Sequence, residues 1–269
     1  MATDRFAFGK NWAGFVDTAI TGQRITEATD ALKTLLGMQT LQGESFLDIG
    51  SGSGLHSLAA YNLGATSIVS FDYDDHSVRA TERLRSSVGD PQHWQVFQGS
   101  ILDEALVATH QASIVYSWGV LHHTGQMWQA IRNGSRMIKP GGLFCIAIYN
   151  KVDRWLLGGN SATWQRIKRS YVRGPAWRQR LIVRGYKTHF FLYKLLREGK
   201  NPVREIRTYG ERGMDWHTDV VDWVGGYPFE YASTAEVTTF CETALGLQTV
   251  QVIPKKGHYC NEYVFRMPA

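Results

Sequence analysis

The stretch Phe46–Gly54 constrains the fold of this chain more than any other. A short apolar run ends in glycines at every second position from Gly50 to Gly54, and the helical stretch Leu55–Leu63 follows. An α/β sheet builds its ligand site where strands end in such loops, at the carboxyl edge. Glycine lets the backbone turn sharply and lets a ligand approach closely, because no Cβ intervenes. The pattern therefore predicts a nucleoside-like cofactor near residue 50.

Short apolar runs and helical patterns alternate through the first half of the chain. This alternation predicts an α/β fold with a doubly wound, seven-stranded, mostly parallel sheet and a helical lid inserted after strand five. The predicted parallel strands are Phe46–Ile49, Ser67–Phe71, Trp94–Phe97, Ala112–Trp118 and Leu143–Tyr149. Helices are predicted between them at about 55–63, 76–88, 102–109 and 125–138. The residues Pro140, Gly141 and Gly142 are typical of a break between the last helix and the fifth strand.

The rest of the chain divides into an insertion and a closing segment. We predict N-terminal helices and the cofactor-binding core over 1–150, a basic and aromatic lid over 151–232, and a closing segment over 233–269. In the closing segment, Ser233 and Glu236 are spaced as a capping box for a helix over Thr234–Leu245. Two further strands are predicted over Leu247–Ile253 and Glu262–Phe265, and we expect them to form an antiparallel pair.

Composition limits the class of protein. The chain has 269 residues, of which 43% are hydrophobic and 20% charged, as in a globular soluble protein. It has no apolar run of about 18 residues and no basic-then-apolar leader pattern, so the cytoplasm is the expected compartment. The three cysteines are widely spaced, which argues against disulfides and against zinc. Asp215, His217 and Asp219 lack an evident fourth ligand, so no metal site is predicted.

The positive charge is concentrated in one segment. Residues 151–213 hold 16 of the 29 Lys and Arg residues but only four of the 24 Asp and Glu residues. The stretch 175–198 interleaves bases with aromatic side chains. It suits a membrane surface, a nucleic acid, or a helix that packs its apolar side on the domain. Nucleic acid is not favoured, because no recognised RNA-binding motif is present.

The glycine spacing alone does not identify the cofactor. Dinucleotide-binding proteins use Gly-x-Gly-x-x-Gly, whereas the third glycine here comes one residue earlier. The strand Ser67–Phe71 leads into Asp72, whose carboxylate is placed to accept both hydroxyls of a ribose. The alternative is that Asp72, Asp74 or Asp75 simply caps the next helix.

The ordered set of these motifs resembles class I S-adenosylmethionine-dependent methyltransferases, and most closely the small-molecule branch that includes ubiquinone-biosynthesis-type enzymes. The resemblance covers roughly residues 44–150. It rests on Leu47–Gly54, Ser70–Asp74, Gly99-Ser100, Val120-Leu121-His122-His123 and Ile138–Gly142.

The resemblance implies S-adenosylmethionine as the cofactor and assigns roles to particular residues. Asp48, Gly50, Gly52 and Gly54 would surround its methionine part. Asp72 would hold the ribose and Tyr73 would flank the adenine. Ser100 and Ile101 would lie at the adenine edge, while Ser117 and Trp118 would close over the methionine side. Many family members have Asp at the position of Ser100, and Asp103 is a candidate substitute.

Three residues at the predicted carboxyl edge are candidates for catalysis. His122 and His123 follow the fourth strand, and Tyr149 ends the fifth. An oxygen or nitrogen acceptor benefits from a base that removes its proton, and a neutral imidazole suits that role. We favour His122 as the base and His123 as a brace for the loop, with Tyr149 orienting the acceptor. The alternative is that all three side chains are structural.

The sequence thus predicts a methyltransferase that modifies an oxygen or nitrogen of a small-molecule acceptor. Three alternatives remain open: an RNA methyltransferase that uses the basic lid, a cofactor-binding module without turnover, and an NAD-dependent dehydrogenase. Peripheral contact with a membrane is a further alternative for the lid. The sequence predicts no particular oligomeric state.

Overall fold

The fold is built on one mixed sheet. The computed structural model describes Phe6, 21–153, 159–196, 198–209 and 216–269. Within these residues the sheet has seven strands in the order β3-β2-β1-β4-β5-β7-β6. The strands are β1 Ser45–Ile49, β2 Ser67–Asp72, β3 Trp94–Gln98, β4 Ala112–Trp118, β5 Ile138–Tyr149, β6 Gln248–Ile253 and β7 Cys260–Arg266.

The strand directions match the predicted architecture. Strands β1 to β5 pair in parallel, while β7 lies antiparallel between β5 and β6. The carboxyl ends of β1, β2 and β4 therefore meet at one edge of the sheet, as right-handed crossover connections require. The seven-stranded α/β sheet predicted from the sequence is confirmed.

Helices cover both faces of the sheet. The helices that alternate with the first five strands are α1 Gly22–Leu36, α2 Leu55–Asn62, α3 Asp75–Ser86, α4 Glu104–Thr109 and α5 Met127–Arg136. Buried aliphatic and aromatic side chains form one cluster on each face, and β1 contributes to both because its side chains alternate. Strands buried on both faces read as continuous apolar runs, which is why the sequence located them.

The start of β5 differs from the prediction. The strand begins at Ile138, so Pro140, Gly141 and Gly142 lie inside it rather than before it. The pairing of β4 with β5 is irregular between Ala112 and Ile114. Gly141 has a φ of 76°, and a Cβ on Gly142 would come within 2.6 Å of the Ser113 carbonyl oxygen. The glycines thus shape a bulge that lets the strand continue.

The closing helix also differs in part. Helix α10, Thr234–Thr239, begins with the predicted capping box, in which Ser233 and Glu236 exchange hydrogen bonds. It passes into a π-helical turn over Phe240–Ala244 rather than remaining α-helical to residue 245. Gly246, at a φ of 68°, ends the turn.

Among the described residues between β5 and α10 there are four helices, which we call the helical insertion. They are α6 Ser161–Val172, α7 Ala176–Leu196, α8 Pro202–Tyr209 and α9 Trp216–Gly225. Among the described helices none has both the length and the hydropathy needed to cross a bilayer. Of the predicted N-terminal helices, α1 is present, whereas residues 1–5 and 7–20 lie outside the described residues. The domain boundaries at 150 and 232 stay predictions.

Candidate active site

The glycine loop follows β1 at the carboxyl edge of the sheet. Gly50, Gly52 and Gly54 have φ values of 76°, 57° and 80°, a region that side chains with a Cβ rarely adopt. The backbone N–H groups of Gly50 and Ser51 both donate to the Phe71 carbonyl oxygen, at 2.8 and 3.2 Å. The loop is therefore held against the end of β2.

Close packing also requires the first and third glycines. A Cβ on Gly50 would lie 2.4 Å from a methyl carbon of Val120, and one on Gly54 would lie 2.9 Å from a methyl carbon of Thr81. These distances are shorter than any van der Waals contact between carbon atoms. The loop thus brings β1, α3 and the segment after β4 close together.

Gly50→Ala should lower the free energy of unfolding by at least about 2 kcal/mol, because it adds a clash with Val120 to the strain of a positive φ. The matched control is Gly119→Ala, whose glycine has a φ of 75° but no atom within 4 Å of an added Cβ. The control should cost about 1 kcal/mol. Urea denaturation of both variants measures the difference. Equal losses would show that the contact with Val120 does not matter.

Asp72 links the glycine loop to β2. Its carboxylate accepts hydrogen bonds from the backbone N–H of Gly52 at 3.0 Å and of Asp74 at 2.9 Å. The N-cap of α3 is Asp74, which accepts from the His76 backbone N–H at 2.9 Å. The role of Asp72 at the ribose of a cofactor stays a prediction.

Asp48 lies beneath the loop rather than on its surface. The carboxyl is buried and accepts a 2.5 Å hydrogen bond from Ser57, whose hydroxyl also contacts that of Ser70 at 2.8 Å. Burial raises the pKa of Asp48 to about 7; the Ser57 hydrogen bond lowers it, and the charge of Asp72 raises it. This chain of hydrogen bonds ties α2 to β1 and β2. An ammonium contact by Asp48 stays a prediction.

Asp48→Asn should stabilise the protein more at about pH 8 than at about pH 5. The folded pKa of Asp48 is about 7, above the ordinary value of 3.8. Between these values the folded state holds a proton that the unfolded chain has lost, so stability from this group falls as pH rises. Asparagine does not titrate, and the gain in melting temperature should grow by several degrees across this range.

Thermal unfolding at both pH values tests this expectation. The exposed Asp30, which pairs only with Lys33 on the surface, provides the matched control Asp30→Asn. Its effect on the melting temperature should be the same at both pH values. A pH-independent effect of Asp48→Asn would show that Asp48 is ionised in the folded protein.

The other residues predicted to contact the cofactor differ in their exposure to solvent. Tyr73 is exposed beside Asp72. The Ser100 hydroxyl oxygen accepts from the Leu102 backbone N–H at 3.2 Å, while Ile101 is buried in the core. Asp103 caps helix α4 by accepting from the backbone N–H of Ala105 at 3.0 Å, and its role as a substitute for an aspartate at position 100 stays a prediction.

The side chains of Ser117 and Trp118, at the end of β4, make contacts on different sides of that strand. The buried Ser117 hydroxyl donates to the Ile49 carbonyl oxygen at 3.0 Å, on the side of the glycine loop. The Trp118 indole donates to Glu262 on β7 at 3.1 Å, which lies beyond β5 and away from that loop. The structure therefore does not bring the two side chains together, and their roles at the cofactor stay predictions.

His122 occupies an enclosed position after β4. It lies in a 3₁₀ turn over Leu121–His123, its exposed fraction is 0%, and neither ring nitrogen has a hydrogen-bond partner among the described residues. Its ring centroid lies 4.2 Å from that of Tyr149 and 4.5 Å from that of His123. Burial, followed by the charges of His123 and Lys168, lowers the pKa of His122 well below its ordinary value. The imidazole is therefore neutral near pH 7.

His123 and Tyr149 surround His122 in different ways. A ring nitrogen of His123 lies 2.6 Å from the Pro228 carbonyl oxygen, which links the turn to the segment after the helical insertion. The Tyr149 ring contacts those of Trp223 and Phe229, with centroids 5.9 and 5.0 Å away. Burial, with smaller effects of nearby acidic groups, raises the pKa of the Tyr149 hydroxyl, which therefore stays protonated.

Comparison with known proteins identifies this arrangement. Residues 47–144, which hold the glycine loop, Asp72 and both histidines, match the sequence family described as a methyltransferase domain. This segment is a class I S-adenosylmethionine-dependent methyltransferase domain. The resemblance to class I S-adenosylmethionine-dependent methyltransferases is confirmed, and with it S-adenosylmethionine as the cofactor of the domain, whereas the small-molecule branch stays a prediction. An NAD-dependent dehydrogenase does not fit this family.

Two curated relatives each match less than half of this chain. A ribosomal protein L11 methyltransferase from Shouchella clausii is 34% identical over 118 residues, which is 41% of this chain and 35% of the relative. A ubiquinone biosynthesis O-methyltransferase from Methylobacterium nodulans is 28% identical over 114 residues, 42% of this chain and 44% of the relative. The chain thus spans less than half the length of these relatives.

Solved structures extend the likeness of fold beyond the methyltransferase domain. An O-methyltransferase family protein from Burkholderia thailandensis aligns with a TM-score of 0.55 at 12% identity, over 91% of this chain and 57% of that one. The magnesium protoporphyrin IX methyltransferase from Synechocystis, solved with SAH, aligns with a TM-score of 0.54 at 10% identity, over 90% and 83%. At such identities the likeness concerns the fold alone.

The sequence did not single out Lys168, which lies beside the methyltransferase domain's catalytic candidates. Its side chain is fully buried, and its ammonium group lies 3.9 Å from the ring centroid of Trp223 and 4.8 Å from that of Phe229. It donates to the Trp223 carbonyl oxygen in the last turn of α9, where the helix dipole favours a cation. Burial lowers the pKa of Lys168 to about 7, and the charge of Asp222 opposes the shift.

The three residues considered as metal ligands are only partly covered by the structure. Of the three residues considered, Asp215 lies outside the described residues, while His217 lies 2.9 Å from the Lys187 ammonium. No group of three or more potential ligands comes together among the residues that the structure describes.

Proposed function

We propose that this protein transfers a methyl group from S-adenosylmethionine to an oxygen or nitrogen of a small-molecule acceptor. The observation that carries the proposal is His122, a neutral and fully buried imidazole whose nitrogens have no partner among the described residues. A buried polar group without a partner costs free energy, so sites that retain one are typically functional. A base at the end of β4 lies at the edge where ligands bind.

The residues at the carboxyl edge fit the cofactor. The glycine loop lets a ligand approach its backbone where no Cβ intervenes, which suits the methionine part, and the Asp72 carboxylate suits the ribose hydroxyls. The exposed ring of Tyr73, beside Asp72, suits stacking on the adenine. When bound, S-adenosylmethionine supplies an electrophilic methyl group on a positively charged sulfur.

The remaining groups act on the acceptor. His122 accepts the proton that the acceptor O–H or N–H loses on methylation. The protonated Tyr149 hydroxyl is suited to donate a hydrogen bond that orients the acceptor. His123 holds the turn against Pro228 and thereby fixes the position of His122. Trp223 and Phe229, which contact Tyr149, exclude water from this side of the site.

A protein substrate is the second candidate, because several curated relatives are ribosomal protein L11 methyltransferases. However, Tyr149, Trp223 and Phe229 lie outside residues 47–144, which match the methyltransferase family. The family match therefore does not cover the residues proposed to lie beside the acceptor. The enclosure of His122 by the insertion favours a small acceptor over a folded protein. The basic charge of the insertion is the one observation that favours an RNA acceptor.

Incubation with S-adenosylmethionine carrying a labelled methyl group tests the proposal. The acceptors are a bacterial extract divided into small molecules, ribosomal proteins and RNA. We expect label in the small-molecule fraction, on a compound whose mass increases by one CH₂ group. Label confined to the protein or RNA fraction would replace the proposed acceptor class. Cofactor binding without label transfer to any fraction would favour a module without turnover.

A further inference from the structure

Helix α7 presents apolar side chains on two opposite faces. On the inner face, Ile182, Val183 and Tyr186 pack against the cluster formed by α6 and α9. Although the helix has 21 residues, none of its side chains is buried. Its outer face is therefore solvent-exposed and is not needed to hold the helix on the domain.

The outer face carries an apolar stripe that is interrupted between Leu181 and Phe191. Trp177, Leu181, Leu192 and Leu195 are 62%, 56%, 50% and 57% exposed. At about 100° per residue these four side chains lie within a narrow arc of the helix, and Phe191 borders them. The stripe extends over about 27 Å at 1.5 Å per residue. Groups of exposed apolar side chains bordered by charged residues are typical of interaction surfaces.

The positive charge of the same helix indicates an anionic partner. The sequence from Ala176 to Leu196 has five Lys or Arg residues and no Asp or Glu. Lys187 and Lys194 contact His217 and Glu198. In contrast, Arg180 and Arg184 are exposed beside the stripe and make no ion pair with the residues that the structure describes. Apolar side chains flanked by bases are typical of helices that lie in a membrane interface.

We infer that α7 docks parallel to the surface of a bilayer that contains anionic lipids, with the stripe in the interface and Arg180 and Arg184 at the phosphates. A second copy of the chain is a poorer partner, because two such helices would bring their bases together without acids between them. A nucleic acid would leave the leucines without an apolar partner. The docking is independent of methyl transfer.

Co-sedimentation of the whole protein with vesicles tests the inference. We expect binding to vesicles of phosphatidylcholine mixed with phosphatidylglycerol, and at least tenfold weaker binding to phosphatidylcholine alone. Leu181→Glu combined with Leu195→Glu should reduce binding to the mixed vesicles at least about tenfold, since it places charge in the apolar stripe. Arg180→Gln combined with Arg184→Gln should reduce it by a smaller factor and weaken its dependence on salt.

The matched control is Val250→Glu combined with Tyr259→Glu. It places two acids at exposed apolar positions outside the insertion, 52% and 73% exposed, and should leave vesicle binding unchanged. Absence of binding to the mixed vesicles at low salt would overturn the inference. So would a dimer of the wild type, by sedimentation equilibrium, that Leu181→Glu with Leu195→Glu dissociates. Calorimetric binding of S-adenosylmethionine, measured on the same samples, should be unaffected and separates this result from the proposed function.

Discussion

Asp72→Ala should weaken the binding of S-adenosylmethionine ten- to a hundredfold. The substitution removes the carboxylate proposed to accept the ribose hydroxyls, and it releases the Gly52 N–H that positions the glycine loop. A hydrogen bond to a charged group contributes about 1.5–3 kcal/mol, which corresponds to this range of affinity. Isothermal titration calorimetry measures the effect. Asp72→Asn, which keeps one acceptor oxygen, should fall between the wild type and the alanine variant.

Asp75→Ala is the matched control for this experiment. It removes another carboxylate at the start of α3, where Asp75 forms an exposed ion pair with Arg79 at 2.6 Å. The net charge changes equally, but the affinity should stay within about twofold, since surface ion pairs contribute little. If Asp72→Ala bound the cofactor like the wild type while melting normally, the ribose assignment would be wrong.

The fold was predictable because local pattern and tertiary structure agree over most of the sheet. The strand β1 reads as an apolar run because it is buried on both faces, and it ends in glycines whose positive φ values no other residue tolerates well. The start of β5 was not predictable, because proline and glycine normally end regular structure. There, pairing with β4 outweighs the local preference.

The site was predictable only where it follows from strand order. His122 lies in the turn that follows β4, and Tyr149 ends the adjacent parallel strand β5, so their proximity follows from the topology. Lys168 and Trp223 reach the same place from helices of the insertion, and no local spacing relates them to β4. A lysine in an amphipathic helix is normally exposed, and only the packing of α6 against α9 buries this one. Long-range packing of this kind leaves no periodic signal in the sequence.

His122→Ala should reduce turnover about a hundredfold or more while the affinity for S-adenosylmethionine changes less than about twofold. A positioned base contributes about 10²- to 10⁴-fold, and the loss falls on proton removal rather than on cofactor binding. The measurement is kcat for the acceptor found in the labelling experiment, with the cofactor Kd from calorimetry. His76→Ala, which removes an exposed imidazole from α3, should leave both quantities unchanged.

The pH profile distinguishes a base from a structural histidine. Because burial lowers the pKa of His122, the wild type should lose activity only as pH falls well below the ordinary histidine value of 6.5, where the imidazole takes up a proton. His122→Gln keeps a polar side chain of similar size but cannot titrate, so this acidic limb should disappear together with most of the activity. A structural histidine predicts the opposite pattern, in which the glutamine variant regains wild-type turnover with the acidic limb intact. That outcome would show that another group of the protein, or water, removes the proton of the acceptor.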